Sequence, residues 1–239
     1  MKKLLQICLL LMPLSTFASA GVSLESADTS LSDSKSLTNG AKLYVEYCLG
    51  CHSVKYIRYL NIADDFNIKE ATVLKDIAPE GAGIYDKMLA AMNERDAKKW
   101  FGTTPPDLSL IARSRGADWL FTYLKSFYVD SSRPFGVNNA VFPEVGMPNP
   151  LWQLQGEQAA VFKTEHGQEV INKLVIQEKG TMTPKQFDKA LNDIVTFLVY
   201  TGEPSQMERR SMGKYVLLYI LLFGVIGYLL KKEYWKDVH

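Results

Sequence analysis

Cys48-Leu49-Gly50-Cys51-His52 is where residue types and spacing in this 239-residue sequence together specify a piece of chemistry. Two thiols three positions apart, followed at once by an imidazole, form the attachment pattern of a c-type haem. The thiols bond the two vinyl groups of one porphyrin, and His52 reaches the iron. A thioredoxin-like redox pair also uses CxxC but does not call for the histidine that follows. The sixth ligand has to come from a short list, since low-spin cytochromes add Met or His and Met raises the reduction potential. His166 and His239 are the other histidines, and the methionines outside the two apolar ends are Met88, Met92, Met147, Met182 and Met207. Met88 and Met92 read as core positions on an amphipathic helix, a common use of methionine. Met207 lies close to the apolar C-terminal segment. Met147 stands in VFPEVGMPNP, where Gly146 and Pro148 keep the chain in a loop able to bring a thioether to a porphyrin face. Met182, just ahead of the last soluble helix, is its rival, and the residues alone leave the two open.

Both ends of the chain bear on where such a site would work. Residues 1–20, MKKLLQICLLLMPLSTFASA, combine Lys2 and Lys3, an apolar run and Ala18-Ser19-Ala20, the make-up of a cleavable export signal. Cleavage after Ala20 removes Cys8 and leaves Cys48 and Cys51 as the cysteines of the mature chain, with no partner for a structural disulfide framework. Near the other end, residues 215–230 read YVLLYILLFGVIGYLL and are followed by Lys231 and Lys232. This run approaches the roughly 20 residues that span a bilayer, and Tyr215, Tyr228, Tyr234 and Trp235 sit where interfacial aromatics belong. An exported domain stopped by this segment leaves its tail inside. The expected organisation is therefore signal peptide 1–20, periplasmic haem domain 21–211, transmembrane anchor 212–232 and cytoplasmic tail 233–239, in a bacterial inner (cytoplasmic) membrane. The external part carries 21 Lys and Arg against 24 Asp and Glu. Charge that is neither strongly basic nor clustered excludes a nucleic-acid binder.

The elements that must position the site follow from periodicity. Residues 21–38 read as an extended or mobile lead-in, and a helix from about Asn39 to Tyr47 delivers the chain into Cys48. An amphipathic helix is expected around Tyr85 to Trp100, with Met88, Leu89 and Met92 on its apolar side. TTPPDLSLIARSRG at 103–116 begins with prolines and turns helical. A further helix starts at Asp118, with Trp119, Leu120, Tyr123, Leu124 and Phe127 on one face. Residues 131–156 are largely loop, and 157–180 shows no decisive pattern. Thr183-Pro184-Lys185-Gln186 then offers an N-cap, a proline at the first helical position and a capping-box glutamine. Phe187, Ala190, Leu191, Ile194, Phe197 and Leu198 form its apolar stripe, and Gly202 and Pro204 end it.

With these segments in order, the chain resembles the cytochrome c1 family, the haem-bearing subunit of the cytochrome bc1 complex. Four marks carry the resemblance: YCLGCHSVKYIRY at 47–59, PPDLSLIARSRG at 105–116, VFPEVGMPNPLWQLQG at 141–156 and VTFLVYTGEPSQMERRSMGKYVLLYILLF at 195–223. The resemblance implies His52 and Met147 as the axial ligands of the haem iron. It implies a propionate contact for Arg113 and haem-pocket packing for Pro105 and Pro106. Trp119 stands where some members have tyrosine, and the extra disulfide of some bacterial members has no cysteines here. The implied activity is electron transfer, as a subunit of ubiquinol–cytochrome c oxidoreductase without a catalytic site of its own. Electrons would come from a Rieske iron–sulfur protein reduced at cytochrome b and leave to a cytochrome c.

The expected fold is mostly α: a cytochrome-c-like haem domain with insertions plus one C-terminal transmembrane helix, in which the helix before Cys48 packs near the one at 184–201. The insertions 60–100 and 150–180 exceed what a minimal cytochrome c needs and are expected to cover the haem edges and meet neighbouring subunits. Three rivals have distinct signatures. A c-type subunit of a terminal oxidase would lack the PPDL and GMP marks in this order. A haem sensor or peroxidase would bind carbon monoxide at an open sixth position, and a thiol redox protein would carry no covalent haem.

Overall fold

A computed structural model describes residues 23–165 and 167–236. The expected signal peptide with Cys8, together with His166 and His239, lies outside the described residues. The order of elements is α1 (Ser34–Tyr47), β1 (Val54–Arg58), α2 (Tyr59–Phe66), α3 (Glu70–Asp76), β2 (Lys87–Met88), α4 (Glu94–Phe101), α5 (Ile111–Arg115) and α6 (Ala117–Lys125). It continues with β3 (Phe127–Val129), β4 (Val137–Asn139), α7 (Trp152–Gln155), β5 (Gly156–Glu165), β6 (Gln168–Lys179), α8 (Pro184–Gly202) and α9 (Gln206–Tyr234). Helix accounts for about half of the described residues, and the strands form three separate antiparallel pairs: β1 with β2, β3 with β4 and β5 with β6. The fold is mostly α, as expected.

Two helices build the frame. In α8 the Thr183 hydroxyl accepts from the Gln186 N–H, and the Gln186 side chain returns to the Thr183 N–H at 3.0 Å, the reciprocal capping box anticipated from TPKQ. In α1 the Asp33 carboxylate caps the Lys35 and Ser36 N–H groups, which starts the helix at Ser34, ahead of the expected Asn39. The two helices cross where α1 has no side chain: a Cβ on Gly40 would fall on the Asp193 carbonyl and 2.9 Å from Phe197 Cβ. Tyr44 and Phe197 then meet with ring centroids 5.4 Å apart, both fully buried. Burying a large side chain of this kind stabilises by roughly 1.5–3 kcal/mol, so this crossing anchors the core. The same core takes in Leu37, Leu49, Ile57, Ile62, Leu191 and Ile194.

The lead-in differs from expectation. Residues 23–30 are neither helix nor strand and 31–32 form a turn, but the Glu25 N–H donates to Thr122 Oγ1 at 2.9 Å, Ala27 to Asp118 at 2.8 Å and Asp28 to Asn192 at 2.9 Å. Side chains of α6 and α8 thus hold it down. The expected helix over Tyr85–Trp100 is also corrected. Met88 lies in β2 opposite Val54, and helix begins only at Glu94, where the Asn93 side chain caps Arg95. A strand pairing and an internal cap override the apolar spacing of Met88, Leu89 and Met92. Met88 is fully buried, so its reading as core holds, while Leu89 is exposed.

Residues 157–180, undecided from sequence, form the long hairpin β5–β6, with two register shifts and Gly167 at φ 81 in its turn. Gln158 seats its base by donating to the Lys125 and Phe127 carbonyls, both at 2.8 Å. The last helix, α9, is long and apolar enough to cross a membrane, and no part of its apolar window is buried against the rest of the chain. Twenty-nine residues give a rod of about 43 Å, longer than a bilayer core, so its polar first turns extend beyond the 212–232 span.

Candidate haem site

The CxxCH segment is a tight turn at the end of α1. Both the Cys51 and His52 N–H groups donate to the Cys48 carbonyl, at 3.0 and 2.8 Å, and the Tyr44 hydroxyl donates to the His52 carbonyl at 2.7 Å. Leu49 points into the core and anchors the turn, while Gly50 has open space around its missing side chain. Two further segments flank it. Met92 and Ala90 donate backbone N–H groups to the Gly50 carbonyl and the Ser53 hydroxyl, and Leu108 donates to the Ser53 carbonyl at 2.8 Å.

The donor set fits a haem. Cys48 and Cys51 are free thiols. Burial pushes the Cys48 thiol up to about 12, with Cys51 adding to the shift, and burial raises Cys51 as well. Redox-active CxxC pairs depend on a lowered thiol pKa, so the environment here runs against a thiol redox centre. His52 Nδ1 lies 2.8 Å from the Pro106 carbonyl. A carbonyl can only accept, so Nδ1 carries the proton and Nε2 keeps its lone pair. A metal-ligating histidine characteristically gives its other ring N–H to such a partner. Burial lowers the His52 pKa, opposed by the Pro106 carbonyl and by Asp107, which keeps the imidazole neutral. Pro106 therefore meets the site through its carbonyl, and Asp107 secures that segment by accepting from Lys55 N–H at 3.0 Å.

Met147 is held by a different set of residues. Its sulfur accepts from the Tyr123 hydroxyl at 3.4 Å, and burial raises the Tyr123 phenol to about 12, so it remains a donor. The loop before it is shaped by two buried asparagines. Asn139 Oδ1 accepts the Val141 and Phe142 N–H groups at 2.9 and 3.1 Å, and its Nδ2 donates to the Tyr123 carbonyl at 2.8 Å. Asn138 Oδ1 accepts Glu144 N–H at 2.9 Å, and Glu144 takes φ 62. Arg133 closes the turn on the Glu144 carbonyl. Sequence reasoning placed Tyr123 only on a helix face and passed over Asn138 and Asn139. The signal was an Asn-Asn pair opening a loop, since asparagine side chains bond backbone a residue or two onward.

Among the described residues no hydrogen bond joins His52 to Met147. One segment serves both: residue 106 holds His52 and residue 123 holds Met147, with α5 and most of α6 between them. Arg113, on α5, directs its guanidinium to Glu203 at 3.2 Å and remains more than half exposed. Its stem packs over Gly202, where a Cβ would come 3.2 Å from Arg113 Cγ. Pro105 makes no hydrogen bond among the described residues. Trp119 stacks flat on Tyr123, centroids 4.9 Å apart and planes 9° apart, beneath the Arg115 guanidinium at 5.0 Å. Of the other methionines, Met88 and Met182 pack with the main core, Met92 is half-buried and Met207 is exposed.

The chain matches the Cytochrome C1 family over residues 26–238. It is 47% identical to the cytochrome c1 of Allochromatium vinosum, across all of this chain and 99% of that protein. A Nitrosomonas europaea protein named ammonia monooxygenase gamma subunit is 44% identical over the same shares. The cytochrome c1 of Rhodobacter capsulatus is 26% identical over 85% of this chain and 83% of that one. A family match over almost the whole length, and a cytochrome c1 nearly half identical from end to end, carry one conclusion: the chain belongs to the cytochrome c1 family.

Proposed function

We propose that this chain is the haem c-bearing subunit of a bacterial ubiquinol–cytochrome c oxidoreductase, the cytochrome bc1 complex. In this reading it takes electrons singly from a Rieske iron–sulfur protein, reduced at cytochrome b, and delivers them to a cytochrome c. When bound, the haem supplies a one-electron iron couple. Cys48 and Cys51 would tether it covalently, His52 Nε2 and the Met147 sulfur would ligate its iron, and the Arg113 guanidinium, now on Glu203, would be available to a propionate. One haem is expected per chain. Pro106 fixes the His52 tautomer through its carbonyl. No residue of this chain has to act as an acid, base or nucleophile.

The observation that carries the reading is the His52–Pro106 hydrogen bond, which commits Nδ1 and leaves Nε2 ready for a metal beside two protonated, unpaired thiols. The export signal and the apolar α9 support a single-pass topology, with the haem domain in the periplasm and the C-terminus in the cytoplasm. Affinity purification of tagged protein from its native membrane in mild detergent, with mass spectrometry of co-purifying chains, tests the assignment. Cytochrome b together with a Rieske protein is the expected result. Copper-oxidase subunits would move the chain to a terminal oxidase. Ammonia monooxygenase chains would overturn the bc1 assignment in favour of the role in the Nitrosomonas relative's name.

A further inference from the structure

Tyr123, half-buried beside Met147, is held by aromatic neighbours on several sides. Its ring is stacked on Trp119, meets the edge of Phe127 at 5.3 Å and 69°, and meets that of Phe142 at 6.5 Å and 75°. Trp119 is one helical turn earlier on α6, Phe127 is in β3, and Phe142 is on the same loop as Met147. Three elements thus fix the ring plane, and Arg115 covers the outer face of Trp119. The one polar contact of the hydroxyl among the described residues is the Met147 sulfur, 3.4 Å away. Packing alone does not require a hydroxyl there, because phenylalanine would fill the same cage.

We propose that Tyr123 is a positioning residue for Met147: its hydroxyl donates to one lone pair of the thioether sulfur, leaving the other aimed at the iron, and so tunes the redox couple. The proposal rests on the reading of Met147 as an axial ligand. Methionine has three rotatable bonds and a soft sulfur, so a ligand of this kind on a loop needs a second hold to keep one rotamer. A hydrogen bond to an iron ligand also withdraws electron density from it. That favours the electron-richer ferrous state and raises the potential, one of the levers a protein has on a haem. The Arg115–Trp119 stack is the outer brace, holding the phenol where its hydroxyl meets the sulfur. The loop asparagines bring Met147 to it, and Asn139 ties that loop to the Tyr123 carbonyl.

The test is optical redox titration of the haem-loaded, membrane-purified protein, read with the methionine-to-iron charge-transfer band and the affinity of the ferric form for imidazole. Tyr123→Phe keeps the ring and removes only the hydroxyl. The expected result is unchanged haem content and a shift of the redox equilibrium towards the oxidised form by roughly three- to tenfold, the worth of one hydrogen bond. For a one-electron couple that is at most about 59 mV. The charge-transfer band should weaken or move, and imidazole should bind more tightly by a similar factor. Trp119→Leu, which keeps the hydroxyl but removes the brace, should move the same readouts in the same direction by less. Unchanged potential, band and imidazole affinity in both variants would overturn the proposal. Met147→Leu in parallel separates the two failures. If it abolishes the band while Tyr123→Phe does nothing, only the role of Tyr123 falls, and if it leaves the band intact, the ligand assignment falls and takes this proposal with it.

Discussion

Met147 is presented by a loop whose course two asparagine side chains dictate. Asn139, fully buried, satisfies two loop N–H groups and reaches back to α6. Asn139→Ala strands those donors at roughly 1–3 kcal/mol each. We expect a loss of about 2–4 kcal/mol in thermal or denaturant unfolding, together with a weaker methionine-to-iron band. Met147→Leu keeps the volume and removes the sulfur. It should shift the redox equilibrium at least tenfold towards the oxidised form, about 59 mV or more for one electron, and admit carbon monoxide to the reduced iron. A carbon monoxide-inert variant with the wild-type potential would remove Met147 from the ligand set. At this scale the CxxCH motif was fully legible, because its chemistry is local. On the residues alone Met147 stays one of two open candidates, because what holds a loop sulfur, here Tyr123, lies far away in the chain.

The elements were legible in proportion to how much of their stability is their own. α8 carries its cap, its proline and its stripe within its sequence, and the structure reproduces them. The β2 segment and the β5–β6 hairpin depend on partners, Val54 in the first case and the Lys125 and Phe127 carbonyls in the second, so periodicity misjudged one and left the other undecided. Crossings between elements give sharp predictions. Gly40→Val would force α1 away from α8 at the Asp193 carbonyl, an overpacking that costs 1–3 kcal/mol or more. The midpoint of chemical unfolding should fall accordingly, and haem content should fall with it.

Glu203 links three elements, since it receives Arg209 of α9 and Arg113 of α5 at the end of α8. The Arg209 hydrogen bond is the largest cause holding its carboxyl below the ordinary value. Because the folded value is the lower one, the stabilisation is present above the unfolded glutamate pKa of about 4.3. It fades as pH falls through the folded value. Glu203→Gln should therefore lower the melting temperature at neutral pH, and the difference from wild type should vanish in acid. A difference that persists or grows in acid would contradict this ion-pair role.

At the scale of the whole chain, a haem domain and a lone apolar helix form one polypeptide, joined by the short connection from Glu203 to Ser205. The apolar run near the C-terminus made the last helix readable, because a bilayer span is set by length and hydrophobicity and not by tertiary contacts. The reach of the insertions was not readable. Residues 60–100 hold α2, α3, β2 and most of α4, and part of that stretch, Ala90 and Met92, lies against the haem motif itself.

The proposed function requires a processed, exported chain that holds one haem covalently through Cys48 and Cys51. The most direct test is the intact mass of the chain purified from its native membrane and measured under denaturing conditions. The expected result is a single species equal to residues 21–239 plus one haem, and Cys48→Ser with Cys51→Ser should lose the haem increment. A wild-type mass equal to the bare polypeptide, or to the polypeptide with a Cys48–Cys51 disulfide, would contradict it.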